Sequence, residues 1–122
     1  MVDALGLPLA FEITEGQRHD SMPAKELVAR VLSRCLLADK AYDSNDFRAA
    51  LDERKCTPVI PSNGRRTEKL SYDKELYKAR SEIECTFSLL KQARRFATRY
   101  EKTLRNYASV VAIGCSLLWL RI

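Results

Sequence analysis

Histidine is almost missing from this sequence, with one in 122 residues, and the four cysteines (Cys35, Cys56, Cys85 and Cys115) lie far apart. A structural zinc site needs clustered ligands, so a zinc finger or ribbon is excluded. Cys35 and Cys115 stand in apolar runs and are expected to be buried thiols, with nothing to suggest an oxidising compartment. No charged segment followed by an apolar core opens the chain, so no signal peptide is expected. The longest apolar run, "VVAIGCSLLWL" from Val110 to Leu120, falls short of the roughly 20 residues that cross a bilayer. Internal repeats, low-complexity tracts and clear linkers are also lacking. These absences describe a soluble, intracellular protein that is not a membrane component.

What is present fits one domain. Hydrophobic residues make up 46% of the chain, enough for a core at this length. Charged residues make up 30% and the net charge is +5, unevenly spread. Residues 1–60 hold 8 Lys and Arg against 10 Asp and Glu, whereas residues 61–122 hold 13 against 6. The first half is therefore at −2 and the second at +7. A basic half of this kind points to a polyanion, most often nucleic acid, or else to a solubilising surface.

The pattern along the chain predicts an α/β fold. "MVDALGLPLAFEIT" reads as a β-hairpin. "MPAKELVARVLSR" carries Leu27, Val28, Val31 and Leu32 at helical spacing, with Ser21 as a cap and Pro23 in the first turn. "CLLAD" reads as a buried strand ending in an acid. "DSNDFRAALDERK" predicts a second helix capped by Asp43 or Ser44, and "CTPVIP" another strand. Strand, helix and strand in so few residues imply a right-handed crossover and a parallel pair. After the polar, basic loop "SNGRRTEKLSYDKE", one long helix is predicted from about Lys74 to Arg94. A last helix runs from about Leu104 with Tyr107, Val110, Val111, Cys115, Leu118 and Trp119 as one apolar stripe, Trp119 anchoring the core. The predicted order is ββαβαβαα.

Asp39 ends "CLLAD", and in an open α/β sheet chemistry gathers at the carboxyl ends of parallel strands. A single acid after a strand is usually a cap, but the long helix adds a second signal. At about 100° per residue, Tyr77, Arg80, Glu84, Phe87 and Lys91 fall on one stripe. Leu76, Ile83 and Leu90 lie beside it as the expected core face, which would leave Glu84 half-buried. An ion pair between Arg80 and Glu84 would contribute only about 0.2–0.5 kcal/mol and would not explain Tyr77 and Lys91. Two carboxylates on separate elements suit Mg²⁺, which is usually held by one or two carboxylates plus substrate phosphates. Arg80 and Lys91 could then hold phosphates. Tyr77 could bond a phosphate or stack on a base.

Tyr77, Arg80, Glu84 and Lys91, spaced by two, three and six intervening residues, resemble the signature around the last catalytic acid of DDE transposases of bacterial insertion sequences. "LLADKAYDS" resembles the segment that holds that family's second catalytic Asp, and "VIPSNGRR" its Pro- and Arg-containing segment. "LLKQARRFATRYEKTLRNYASVVAI" looks like its C-terminal run, and "VDALGLPLAFEITEGQRHD" like its second and third strands. The similarity covers nearly the whole chain and is nearest to the insertion-sequence-four/five superfamily, above all the insertion-sequence-five type.

The resemblance implies a ribonuclease-H-like mixed sheet with flanking helices, lacking the first strand. Residues 1–122 would then be a partial transposase catalytic domain, from strands 2 and 3 through the C-terminal helices. It implies DNA cleavage and strand transfer at element ends with Mg²⁺ or Mn²⁺, in the bacterial cytoplasm and at the nucleoid when DNA-bound. Asp39 and Glu84 would be catalytic metal ligands. Tyr77, Arg80 and Lys91 would contact DNA, joined by Arg65, Arg66, Arg94 and Arg95. The family's first catalytic Asp belongs to a strand ahead of this chain's opening hairpin, and Asp3 does not match it. Asp20 and His19 are expected as cap or surrounding residues. The chain is thus expected to be inactive unless an upstream reading frame completes it. The alternative is a DNA-binding remnant or inhibitor of an intact transposase, and a nuclease using only these acids ranks last.

A sheet without its first strand has an open edge and an uncovered apolar face. The purified chain is therefore expected to be poorly stable or to self-associate. Sedimentation analysis and denaturant unfolding check this, and a monomer that unfolds cooperatively would contradict it.

Overall fold

A computed structural model describes residues 1–15, 17, 19, 21–92 and 102–121. The chain divides into two compact units, residues 14–80 and residues 1–13 with 81–122. The described residues form a mixed α/β arrangement with one small parallel sheet and helices around it.

In the unit of residues 14–80, α1 (Ser21–Arg30) leads to β1 (Cys35–Leu37), α2 (Asn45–Glu53) and β2 (Thr57–Val59). The strands pair in parallel, Cys35 with Thr57, Leu36 with Pro58 and Leu37 with Val59. The Thr57 N–H donates to the Arg34 carbonyl (2.9 Å) and the Ala38 N–H to the Val59 carbonyl (3.3 Å). The expected parallel pair is thus present. Ala24, Val28, Phe47, Leu51, Cys56 and Ile60 form the core, with Leu36, Ala38 and Tyr42 packed against it. Each of α1 and α2 contributes residues four apart, the spacing that puts them on one face. Ser44 caps α2 by accepting from the Phe47 N–H at 3.1 Å. The helix ends where Lys55 takes a left-handed conformation (φ 54°), so that the Cys56 N–H reaches the Leu51 carbonyl at 2.9 Å.

Two expectations for this unit are corrected. Helix α1 stops at Arg30 rather than running through Leu32. Leu32 therefore leaves the apolar face and is 94% exposed. The long helix expected from Lys74 is interrupted. Helix α3 (Lys74–Tyr77) passes into a 3₁₀ turn at Lys78–Arg80, and α4 begins only at Ser81. Three residues per turn eclipse side chains three apart, and Tyr77 and Arg80 meet across that turn.

In the unit of residues 1–13 and 81–122, helices α4 (Ser81–Lys91) and α5 (Leu104–Trp119) carry the buried residues Thr86, Leu90 and Val111. Gly114 lets the helices approach, since a Cβ there would stand 3.0 Å from Leu90. The expected N-terminal hairpin is reduced to one bridge, Val2 with Pro8. Proline cannot donate to a ladder, and the Asp3 carboxylate takes the Leu5 and Leu7 N–H groups instead, each at 2.9 Å. The Thr86 hydroxyl holds this turn by donating to the Gly6 carbonyl at 2.5 Å. Trp119 is 45% exposed rather than a core anchor, because its indole N–H turns to the Pro8 carbonyl at 2.8 Å. Cys35 and Cys115 are half-buried, Cys56 is the buried thiol, and all four are free.

Lys55 holds a conformation that glycine adopts without a Cβ penalty. Lys55→Gly is expected to stabilise the chain by about 0.5–1 kcal/mol, read as a higher urea midpoint with an unchanged slope.

Candidate active site and nucleic-acid interface

Asp39 stands two residues beyond β1, at the carboxyl end of the parallel pair, as expected. Its backbone is extended (φ −72°, ψ 161°), and it caps a 3₁₀ turn at Lys40–Tyr42. One carboxylate oxygen accepts from the Ala41 N–H at 2.7 Å. The Tyr42 N–H returns to the Asp39 carbonyl at 3.0 Å, and the Tyr42 ring packs against Phe47 with centroids 6.1 Å apart. The carboxylate is therefore exposed on a turn whose far end is anchored in the core.

The turn closes on Asp43, whose role exceeds the cap considered from the sequence. Its side chain is wholly buried (0% exposed). Oδ1 accepts from Arg48 Nε at 2.6 Å and Arg66 Nη2 at 2.9 Å. Oδ2 accepts from the Asn63 N–H at 2.5 Å and Arg66 Nε at 3.1 Å. Arg48 also donates through Nη2 to the Ile60 carbonyl at 3.0 Å. Burial by itself would push the Asp43 carboxyl upward. The Arg66, Asn63 and Arg48 hydrogen bonds and the Arg48 charge outweigh it and hold the group well below the usual carboxylate range. The signal in the sequence was an Asp just ahead of a capping Ser, with arginines at 48 and 66 to neutralise it.

The basic loop is ordered by its own polar groups. Asn63 Oδ1 accepts from the Arg65 N–H at 3.1 Å, and the Asn63 carbonyl accepts from the Arg66 N–H at 3.1 Å and from Lys69 Nζ at 2.9 Å. The Leu70 N–H donates to Ser62 Oγ at 2.7 Å. Two adjacent arginines with the same expected role are thus placed differently. Arg65 is exposed, whereas Arg66 turns inward to Asp43 with 19% of its side chain exposed.

Asp73 caps α3 by accepting from the Leu76 N–H at 2.9 Å. Tyr77 meets Tyr72 edge to face with centroids 5.5 Å apart, and Arg80 lies 5.7 Å over the Tyr77 ring. Such a cation–π contact contributes about 0.5–1 kcal/mol and holds the guanidinium in place.

In the other unit, Glu84 lies in the first turn of α4, where a carboxylate is favoured by the helix dipole, and Lys91 ends the same helix. Both are exposed, which corrects the expectation of a half-buried Glu84. On the expected core face Leu90 is buried, Ile83 half-buried and Leu76 exposed, because the 3₁₀ turn breaks the single helical stripe. Phe87, on the Glu84 line, is 50% exposed. Arg94, Arg95 and Asp20 lie outside the described residues, and His19 is exposed.

Among the described residues no three His, Cys, Asp or Glu side chains form a metal-binding group, and no helix is long and apolar enough to cross a membrane. Asp39 and Glu84 belong to different units, and each offers exposed carboxylate oxygens, the donor type that hard divalent cations such as Mg²⁺ take.

Because the Asp43 carboxyl is held low in the folded chain, it favours folding fully above its unfolded value of about 4 and progressively less as pH falls below that. Wild-type stability is expected to drop below about pH 4. Asp43→Asn should lower stability at neutral pH by about 3 kcal/mol and flatten this acid limb, as read by urea unfolding at a series of pH values.

A family model described as the transposase DDE domain matches residues 1–119. A protein inferred to be a transposase for insertion sequence element IS6501, from Brucella ovis, is 39% identical over 123 residues, covering 99% of this chain and 95% of that protein. Another, inferred to be a transposase for element IS402 of Burkholderia cepacia, is 30% identical over 130 residues, covering 97% of this chain and 59% of that longer protein. No solved structure matches. On the family match and on relatives that align along almost its whole length, this chain belongs to the DDE transposases of bacterial insertion sequences.

Proposed function

We propose that this chain supplies two of the metal-binding acids of an insertion-sequence transposase, Asp39 and Glu84, together with basic side chains that grip element-end DNA. The supporting observation is Asp39 itself. In a chain of this family, an exposed carboxylate stands at the carboxyl end of a parallel strand pair, on a turn anchored in the core. The two-stranded sheet with its helices is compatible with a ribonuclease-H-like domain.

A divalent cation, Mg²⁺ or Mn²⁺, would polarise the phosphodiester and lower the pKa of the attacking water. Asp39 and Glu84 would each offer it carboxylate oxygens. Arg65, Arg80 and Lys91 neutralise phosphates, Arg by its fork and Lys as a point charge. Tyr77, braced between Tyr72 and Arg80, offers a hydroxyl to a phosphate or a face to a base. Arg94 and Arg95 extend the basic run along the sequence. Phosphate contacts of this kind position the DNA without reading its sequence. The reaction is then cleavage and strand transfer at element ends in the bacterial cytoplasm, once a third acid completes the site.

The 122-residue chain is expected to bind duplex DNA with an affinity that falls steeply with salt. Replacing Arg65 or Lys91 by Ala should each lower the slope of log affinity against log salt by about 0.9. It should also bind Mn²⁺, and Asp39→Asn should weaken that binding at least about tenfold without changing metal-free DNA affinity. Fluorescence anisotropy and Mn²⁺ electron spin resonance measure the two. DNA binding with no Mn²⁺ binding would favour the alternative, a non-catalytic DNA-binding protein that competes with an intact transposase.

A further inference from the structure

The Asp43 carboxylate joins three pieces of chain. It ends the 3₁₀ turn that Asp39 begins. It takes Arg48 from the first turns of α2, the Asn63 N–H from the basic loop, and Arg66 from the same loop. Arg48 in turn donates to the carbonyl of Ile60, next to the end of β2. Hydrophobic packing alone would bury this position without fixing a direction. A carboxylate with four donors fixes each piece in distance and angle. The turn it holds is short, and Asp39, Lys40 and Ala41 on it are exposed, so the Asp39 carboxylate is set from within the turn, by the Ala41 N–H, and by the turn's anchors, Tyr42 against Phe47 and Asp43.

We propose that Asp43, Arg48 and Arg66 are positioning residues that lock the Asp39 turn against the loop presenting Arg65. A cation at Asp39 and a phosphate at Arg65 are then held at a set separation. Arg66 acts through Asp43, not on DNA, and the neighbouring arginines divide the work, one inward and one outward. The idea rests on Asp39 as a metal ligand and Arg65 as a phosphate contact. It requires the fork of Arg66, since its Nε and Nη2 each reach a different oxygen of Asp43. A lysine would keep the charge and lose the paired bond.

Three variants of the 122-residue chain, Arg66→Lys, Arg66→Ala and Arg65→Ala, test this with Mn²⁺ and duplex DNA as probes. The Ala41 amide proton resonance reports the Asp39 turn, because that N–H donates to the Asp39 carboxylate. Exchange of the Cys56 amide, bonded to the Leu51 carbonyl, reports the core. Both Arg66 variants are expected to shift the Ala41 resonance and to weaken Mn²⁺ binding about tenfold, the usual effect of removing a partner that orients a ligand. Their salt slope for DNA should stay as in the wild type, and their Cys56 exchange should rise only by the stability that the broken ion cluster takes away, with the chain still folded. Arg65→Ala should do the reverse, lowering the slope by about 0.9 and leaving Ala41 in place.

An unchanged Ala41 resonance and Mn²⁺ affinity in Arg66→Lys would overturn the proposal. So would Ala41 and Mn²⁺ changes that appear only where Cys56 exchange shows the chain to be largely unfolded, which marks a role in stability alone. A salt slope that falls in Arg66→Ala as it does in Arg65→Ala would make Arg66 a DNA contact instead. If the wild type binds neither Mn²⁺ nor DNA, the functional reading fails. The Ala41 resonance then still decides whether Arg66 orients the turn.

Discussion

A carboxylate taken wholly out of water dominates this molecule's polar structure. Desolvating an ion costs several kcal/mol, and only close, well-aligned donors offset it. Asp43 has four such donors from two arginines and a backbone amide. An apolar residue there could fill the same volume. It would leave Arg48 and Arg66 without their partner and would let the basic loop choose among conformations. The ionic cluster ties the basic loop, already ordered by its own polar groups, and the 3₁₀ turn after β1 into one fixed surface.

The surrounding core is modest. Phe47 and Leu51 on α2 meet Ala24 and Val28 on α1, with Ile60 beyond β2. It anchors Tyr42 and therefore one end of the turn, while Asp43 anchors the loop beside it. Exposed chemistry on a firmly held base is the usual arrangement for binding residues on loops. Tyr72, Tyr77 and Arg80 repeat the theme with rings and a guanidinium in place of an ion cluster.

Local patterns carried much of this arrangement in the sequence. Asp39 was legible because an apolar run ends in an acid, and α2 because Ser44 precedes a helical stripe. The parallel pair followed from strand, helix and strand in close succession. The interruption at Lys78–Arg80 was not legible, since every residue from Lys74 to Lys91 tolerates an α-helix. The hairpin failed because alternation of apolar residues says nothing about where backbone donors go, and Asp3 captured two of them. The different fates of Arg65 and Arg66 were hidden for a similar reason. Adjacent identical residues are told apart only by the partner that one of them finds, 23 positions away at Asp43.

The pairing of Leu36 with Pro58 gives the sheet a direction of growth. In this ladder Arg34, Thr57, Ala38 and Val59 point their bonding groups between the strands, so those of Cys35, Leu37 and position 58 point to the outer sides. Along the outer side of β2 the proline interrupts the row of donors. The outer side of β1 has its amides intact at both Cys35 and Leu37. A further strand, whether from another part of the polypeptide or from a second one, would meet a complete template next to β1 and a defective one next to β2. By backbone donors alone, the better edge is that of the strand that leads to Asp39.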